Sequence, residues 1–252
     1  MARLLEGKVA IITGGGRGLG KVYCLRMAEE GAKIVAADIL ESEAQEVARE
    51  IKTKGGAAIA IKADVTSAAD TQRMADKAVQ EFGRIDVLVN NAAIWYGVGK
   101  KMFWELSSEE WDQVLQVNVK GAWLCCKAVF PQMKKQGKGK IINVSSETVF
   151  APTVGYSHYV TSKAAVLGIT RCFAGELGPF GICVNTIAPG LTLTEASRST
   201  RPNLDKYDVS TIPLGRLGGP EDVVGAVLFF ASDHSDFISG QTLLIDGARR
   251  VI

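Results

Sequence analysis

Seven short apolar runs, at residues 9–12, 34–37, 57–61, 85–89, 141–144, 182–187 and 243–245, recur along the chain and are separated by longer stretches of helical period. Runs of that length without polar alternation read as strands buried on both faces. The intervening segments, 21–30, 42–53, 67–82, 107–133, 157–177 and 220–231, include several that open on Ser or Pro, as helices tend to. Strand and helix alternate throughout, so the pattern predicts an α/β fold: a doubly wound, seven-stranded parallel sheet with helices on both faces. No repeat, low-complexity tract or linker interrupts it, and the chain reads as one domain over 1–252. The segment at about 191–212 fits least well. It is polar, carries Pro202, and is expected to be an irregular substrate loop.

Composition excludes several function classes. The net charge is +2, with both signs mixed along the chain, so no basic face of the density that nucleic acid requires is expected. Cys24, Cys125, Cys126, Cys172 and Cys183 form no CxxC pair, and the only histidines are His158 and His234. Neither a disulfide framework nor a metal site is indicated. Charges punctuate the first residues where a secretion signal needs an unbroken apolar stretch, and no apolar run approaches the ~18–20 residues that span a bilayer. A cytoplasmic protein without membrane association is expected.

The first run leads into Thr13-Gly14-Gly15-Gly16-Arg17-Gly18-Leu19-Gly20 and then a helical segment. Glycines there permit a sharp turn and let a pyrophosphate approach backbone N–H groups at a helix N-terminus. Asp38 ends the second run, eighteen positions past Gly20, close to the ~20 of an acid that binds a ribose. A carboxylate at that point accepts hydrogen bonds from ribose hydroxyls and repels a 2′-phosphate, which favours NAD over NADP. Arg17 argues the other way, but Asp38 would meet that phosphate at hydrogen-bonding range, where like charges are costly.

Tyr159 and Lys163 stand four apart in a helical segment and so share one face. Tyr96 and Lys100 have the same spacing, yet Gly97 and Gly99 between them make a helix improbable. Ser146 follows the fifth run thirteen residues before Tyr159, and Asn118 lies in the preceding long helix. Singly, Ser146 reads as well as a strand-exit cap, Asn118 as a buried polar residue and Lys163 as a solvated lysine. Converging on one sheet edge, they read as a site. His158, about 100° away from Tyr159 on the helix, reads as structural or interfacial.

With these motifs the chain resembles the short-chain dehydrogenase/reductase family of single-domain Rossmann enzymes over essentially its whole length. It also carries Asp64-Val65, Asn90-Asn91-Ala92-Ala93 and Pro189-Gly190-Leu191-Thr192-Leu193-Thr194 at the family's positions. Ala93 stands where a Gly is usual, as does Ala248 after Asp246-Gly247. The resemblance implies a catalytic set of Asn118, Ser146, Tyr159 and Lys163. It implies a cofactor site formed by Gly14, Gly16, Arg17, Gly18, Leu19, Gly20, Asp38, Ile39, Asp64, Val65, Asn91, Ala92, Ala93, Pro189, Gly190, Thr192 and Thr194 together with Tyr159 and Lys163, and it brings Asn90 and Ile187 close by. A phenol has a pKa near 10, and Lys163 with a positive nicotinamide would favour its phenolate. A homotetramer built on the helices of Asn118 and Tyr159 and on the C-terminal strand region is also implied; separately, the tail from Arg249 to Ile252 is expected to reach a neighbouring subunit.

The expected activity is NAD-dependent interconversion of a secondary alcohol and a ketone. Trp95, Tyr96, Thr148, Phe150, Tyr156 and Leu193 are the expected substrate pocket, with Ile94 and Val149 beside them. That set is apolar and aromatic with no fixed cation, which predicts a neutral hydrophobic or aromatic small-molecule substrate. Two rival readings stand beside this one: an NADP-dependent 3-oxoacyl thioester reductase, and a dinucleotide-sensing regulator without catalysis.

Overall fold

The computed structural model describes residues 3–95, 99–200 and 203–250. Seven parallel strands run in the order β3-β2-β1-β4-β5-β6-β7, where β1 is Val9–Thr13, β2 Lys33–Asp38, β3 Ala58–Lys62, β4 Val87–Asn90, β5 Gly139–Val144, β6 Ile182–Pro189 and β7 Thr242–Ile245. The chain reverses its direction of strand addition between β1 and β4. In open sheets of this kind ligands bind outside the carboxyl ends of the strands at that reversal.

The continuous apolar runs follow from a sheet covered twice. Along β1, Ala10 and Ile12 pack with Tyr23, Met27, Val47 and Val227, whereas Val9 and Ile11 pack with Met74, Ala78, Cys125 and Met133 on the opposite face. Adjacent side chains point to opposite faces, so both positions of the alternation must be apolar. The first layer comprises α1 (Gly18–Glu29), α2 (Glu41–Thr53) and, further along the chain, Pro220–Ala231. The second comprises α3 (Ala68–Phe82), α4 (Ser108–Leu115), α5 (Ala122–Gln136) and α6 (Ser157–Leu177). The edge strands β3 and β7 are the most exposed, because each has a neighbour on one side alone; of the inner strands only Lys33 on β2 and Cys183 on β6 are not buried.

Local chemistry sets the helix ends. Ser67 accepts the Asp70 N–H, and Ser107 forms a reciprocal capping box with Glu110. Gly83 and Gly137 close α3 and α5 in the left-handed region. The long helix expected over 107–133 is not continuous α: residues Gln116–Gly121 form a π segment between α4 and α5. The 191–212 segment is not wholly irregular either. It holds α7 (Glu195–Thr200) and a 3-10 turn, Leu204–Lys206. Thr194 caps α7, its hydroxyl accepting the Ser197 N–H at 3.2 Å while the Ser197 hydroxyl accepts the Thr194 N–H at 2.9 Å. Pro202 lies outside the described residues. The final helix, α8, is Pro220–Ala231. Among the described residues no helix is long and apolar enough to cross a membrane, and all five cysteines are free.

Candidate active site

A cavity of about 1290 Å³ opens at the carboxyl ends of the strands, and its wall runs from Asp38 at one end to Ser146, Tyr159 and Lys163. At the first of these ends Gly14 takes φ +62° and Gly18 φ +56°, conformations that side chains disfavour, and the turn they make brings α1 up to the cavity N-terminus first. Arg17, at the N-cap of α1, gives no side-chain cap to that terminus, and the first turn carries no acid. The N–H groups there are therefore a ready anion cradle. Thr13 anchors the turn: its hydroxyl donates to the Val89 oxygen and accepts the N–H groups of Asn91 and Ala92, both at 3.1 Å.

Asp38 is buried at the tip of β2. Its Oδ2 accepts the Gly16 N–H at 2.9 Å and its Oδ1 the Leu40 N–H at 3.0 Å. Each oxygen keeps a lone pair for a further donor, and Ile39, which follows it on the cavity wall, adds no positive charge. Arg17, Leu19, Asp64, Val65, Asn91, Ala92, Ala93, Pro189, Gly190, Thr192 and Thr194 also line the cavity. Glycine at 14 leaves no room for a Cβ, which would meet Asn91 Nδ2 and Ala92 Cα at 3.0 Å.

At the other end, β5 delivers Ser145 and Ser146, and a 3-10 turn, Glu147–Phe150, follows. The Ser146 hydroxyl receives the Thr148 N–H at 3.3 Å and the Thr148 hydroxyl at 3.0 Å. Tyr159 and Lys163, one turn apart on α6, are both buried. Lys163 Nζ donates to the Val144 oxygen at 2.9 Å and lies 5.7 Å from the centre of the Tyr159 ring. Trp95 packs on that ring with centroids 4.6 Å apart, and its own ring lies 5.6 Å from that of Tyr156. Burial pushes the Tyr159 phenol up to about 12, against a hydrogen bond with Ser146 that pulls it down. Burial likewise pushes the Lys163 ammonium down to about 8. In the protein alone Tyr159 is thus a neutral phenol. Loss of water around the oxygen outweighs the Ser146 hydrogen bond.

Asn118 sits in the π segment and faces away from the main cavity. Its Oδ1 accepts the Ile94 N–H at 2.7 Å, its Nδ2 donates to the Ser162 hydroxyl at 3.0 Å, and Ser162 in turn donates to the main-chain carbonyl oxygen of Tyr159 at 2.7 Å, not to its phenol. With Lys163, Asn118 lines a second cavity of about 10 Å³ behind the site. That is close to the space of a single water.

Several expected neighbours stand elsewhere. Gly16 and Gly20 do not line the main cavity. Gly16 instead meets Asp38 and Glu43, and Gly20 lies against Gly14 and Asn91, where a Cβ would stand 2.7 Å from Asn91 Nδ2. Asn90 turns to Asn143 and Cys126, and Ile187 is in the core. Phe150 and Leu193 are also absent from the cavity wall. Leu193 is held by its N–H on the Gly218 oxygen. Tyr96 lies outside the described residues. His158 is buried without lining the cavity. Ala93 has no positive φ, whereas Ala248 has one, at 67°.

The expectation of a substrate pocket without a nearby cation does not hold for the cavity as a whole. Lys100, Arg249 and Arg250 line it, and so do Glu147 and Tyr207. Arg249 turns back into its own subunit, its Nη1 donating to Glu147 Oε1 at 2.9 Å. Of the tail, Val251 and Ile252 lie outside the described residues. A charged residue directly after Ser146 was the available sequence signal for Glu147; no local pattern announced the arginines as its partners.

The family model described as enoyl-(acyl carrier protein) reductase matches residues 14–248. The chain is 42% identical over 247 residues to a 2,5-dichloro-2,5-cyclohexadiene-1,4-diol dehydrogenase of Sphingobium indicum, covering 98% of each protein. It is 39% identical over 243 residues to a 3-oxoacyl-(acyl-carrier-protein) reductase of Thermotoga maritima, covering 96% of this chain and 98% of that one. A solved 7α-hydroxysteroid dehydrogenase, complexed with NADH and 7-oxo glycochenodeoxycholic acid, superposes with a TM-score of 0.92 at 36% identity, over 98% of this chain and 96% of that one. Motifs, sheet order and relatives agree: this chain belongs to the short-chain dehydrogenase/reductase family of Rossmann-fold oxidoreductases.

Proposed function

We propose that the chain is an NAD(H)-dependent dehydrogenase that interconverts a secondary alcohol and a ketone, with Tyr159 as the acid/base. The observation that carries this reading is one cavity wall bearing both the Asp38 carboxylate and the Ser146, Tyr159 and Lys163 side chains. The turn from Gly14 to Leu19 at the α1 N-terminus fits a pyrophosphate. Asp38 fits two ribose hydroxyls and rejects a 2′-phosphate. Asp64 and Val65 would flank the adenine, and Asn91, Ala92, Pro189, Gly190, Thr192 and Thr194 the remainder. When bound, NAD supplies the hydride acceptor and NADH the hydride.

The chain's own residues handle the oxygen and the proton. Ser146, fixed by Thr148, donates to the substrate oxygen as charge grows there. Tyr159, held neutral by burial, gives its proton to that oxygen in ketone reduction and takes it back in alcohol oxidation. A positive charge brought close to the phenol, together with Lys163, lowers its pKa toward the working range. Asn118 keeps the π segment on α6 and shares with Lys163 the small cavity through which a water exchanges the proton. Trp95 and Tyr156 offer an aromatic wall to the substrate body.

A second reading, an NADP-dependent 3-oxoacyl thioester reductase, is favoured by the Thermotoga maritima relative and by Arg17, and opposed by Asp38. We further propose a single cytoplasmic domain over 1–252 that assembles as a homotetramer. Exposed Trp123 on α5 and Leu243 on β7 support the assembly. The test of the activity is nicotinamide absorbance with NAD and NADP against a panel of secondary alcohols, for the wild type and Tyr159→Phe. The variant is expected to lose about 100-fold or more in kcat. Retention of most of the activity would remove Tyr159 from the chemistry.

A further inference from the structure

Beyond the reacting groups, the substrate end of the cavity holds an arrangement that the oxidation of a neutral alcohol does not require. Glu147 is 5% exposed and directly follows Ser146. Its Oε1 takes the Arg249 guanidinium, whose carbon lies 5.7 Å from the Tyr207 ring centre. Arg250 is tied down by its backbone, the N–H donating to Asp246 Oδ2 at 2.8 Å, and its Nη1 donates to the Arg249 oxygen at 3.2 Å. Among the described residues three polar atoms here are buried without a hydrogen-bond partner: Glu147 Oε2, Arg249 Nε and Arg250 Nε. Orphaned polar atoms of this kind are costly; the two arginine Nε groups are donors that a carboxylate would suit, whereas Glu147 Oε2 is an acceptor that it would not.

The charges do not cancel. Glu147 neutralises Arg249, but no carboxylate pairs with Arg250 or with Lys100 among the described residues. Among the described residues Arg250 and Lys100 therefore each add an unpaired positive charge to the cavity wall, where a concave, low-dielectric surface concentrates the field. A guanidinium presents parallel donors matched to a carboxylate. Glu147 orders Arg249, and Arg249 through its carbonyl orders Arg250, so the fork is set before a ligand arrives.

We infer that the physiological substrate carries a carboxylate in addition to the alcohol or ketone, and that Arg250, supported by the Glu147–Arg249 pair, binds it. The substrate class becomes that of hydroxy and keto acids with an apolar or aromatic body. This rests on the proposed alcohol oxidation at the same site.

The experiment compares kcat/KM for 4-(1-hydroxyethyl)benzoate, 1-phenylethanol and 4-(1-hydroxyethyl)benzyl alcohol with NAD, in the wild type and in Arg250→Met. The acid is expected to exceed 1-phenylethanol by about tenfold or more, the usual size of a charge-assisted hydrogen bond. That ratio is expected to shrink as salt rises, and to collapse in Arg250→Met. An acid no better than 1-phenylethanol overturns the inference, as does a benzyl alcohol derivative that matches the acid, because the site would then read hydroxyls rather than charge. The salt series on the wild type decides the matter if Arg250→Met does not fold. If none of the three alcohols is oxidised, the proposed activity falls separately. Thermal shifts with NADH plus 4-acetylbenzoate against NADH plus acetophenone then test the carboxylate site alone: a larger shift for the acid supports it, and an equal shift overturns it.

Discussion

Lys163 Nζ donates to the main-chain oxygen of Val144 at 2.9 Å, so the ammonium beside Tyr159 is fixed by the strand that delivers Ser146. The bond holds a charge where water does not reach, and burial lowers the lysine pKa to about 8. Between there and its unfolded value near 10.4 the folded chain binds fewer protons than the unfolded one, so stability rises as pH climbs through that window. Tyr159 acts above it: its phenol is pushed up to about 12, the folded chain keeps that proton longer, and stability falls again beyond pH 10. From pH 8 to pH 10 the wild type should therefore gain roughly 2 kcal/mol relative to Lys163→Met. Urea unfolding at the two pH values checks it, and parallel profiles for the two proteins would show that the buried ammonium is not penalised.

Asp38 accepts backbone N–H groups from Gly16 and Leu40, and thereby couples the glycine turn to the ribose position. Asp38→Ala removes the repulsion of a 2′-phosphate and orphans both donors. The ratio of kcat/KM for NAD to that for NADP should fall by about tenfold or more. Thermal stability should fall as well, by about 1 kcal/mol. An unchanged ratio would assign cofactor choice to another residue, Arg17 being the first candidate.

The same turn separates two glycines that look alike in sequence. A Cβ on Gly20 would stand 2.7 Å from Asn91 Nδ2 and 2.8 Å from the Gly14 carbonyl carbon, so backbone must move. A Cβ on Gly18 meets open space, and only its φ of +56° opposes substitution. Gly20→Ala should cost about 2 kcal/mol and weaken dinucleotide binding, whereas Gly18→Ala should cost about 1 kcal/mol. Denaturant midpoints and NADH titration of the two variants distinguish these costs; equal losses would mean that close packing against Gly14 is not what requires Gly20.

The strands were legible because they are largely apolar on both faces, and the helix starts because Ser67 and Ser107 cap locally and Pro220 opens α8 at its first position. What escaped depends on distance or on backbone detail. The π segment around Asn118 leaves no trace in side-chain period, since one extra residue per turn merely rotates the pattern. The α7 cap, Thr194 to Ser197, was hidden in a stretch whose polarity suggested a loop. Tyr159 and Lys163 were readable from a spacing of one helical turn. The Glu147–Arg249 pair joins residues 102 apart in sequence, and no local rule connects them. The substrate pocket was consequently expected to carry no cation.

Ala248 closes the short turn after β7 in the left-handed region, at φ 67°, and immediately precedes the two arginines of the cavity wall. Its neighbour Gly247 has nearly the same φ, 68°, without a Cβ to resist it. An alanine held there costs about 1 kcal/mol in backbone strain, partly offset by the smaller entropy that alanine loses on folding. Ala248→Gly should therefore raise stability modestly, by about 0.5 kcal/mol, or a degree or two in Tm. The strain also fixes the direction in which Arg249 leaves the turn, and a glycine loosens that exit. Any gain in Tm should be accompanied by a higher KM for the alcohol, read in the same nicotinamide assay. A variant more stable than the wild type with an unchanged KM would mean that the Glu147 contact alone aims Arg249.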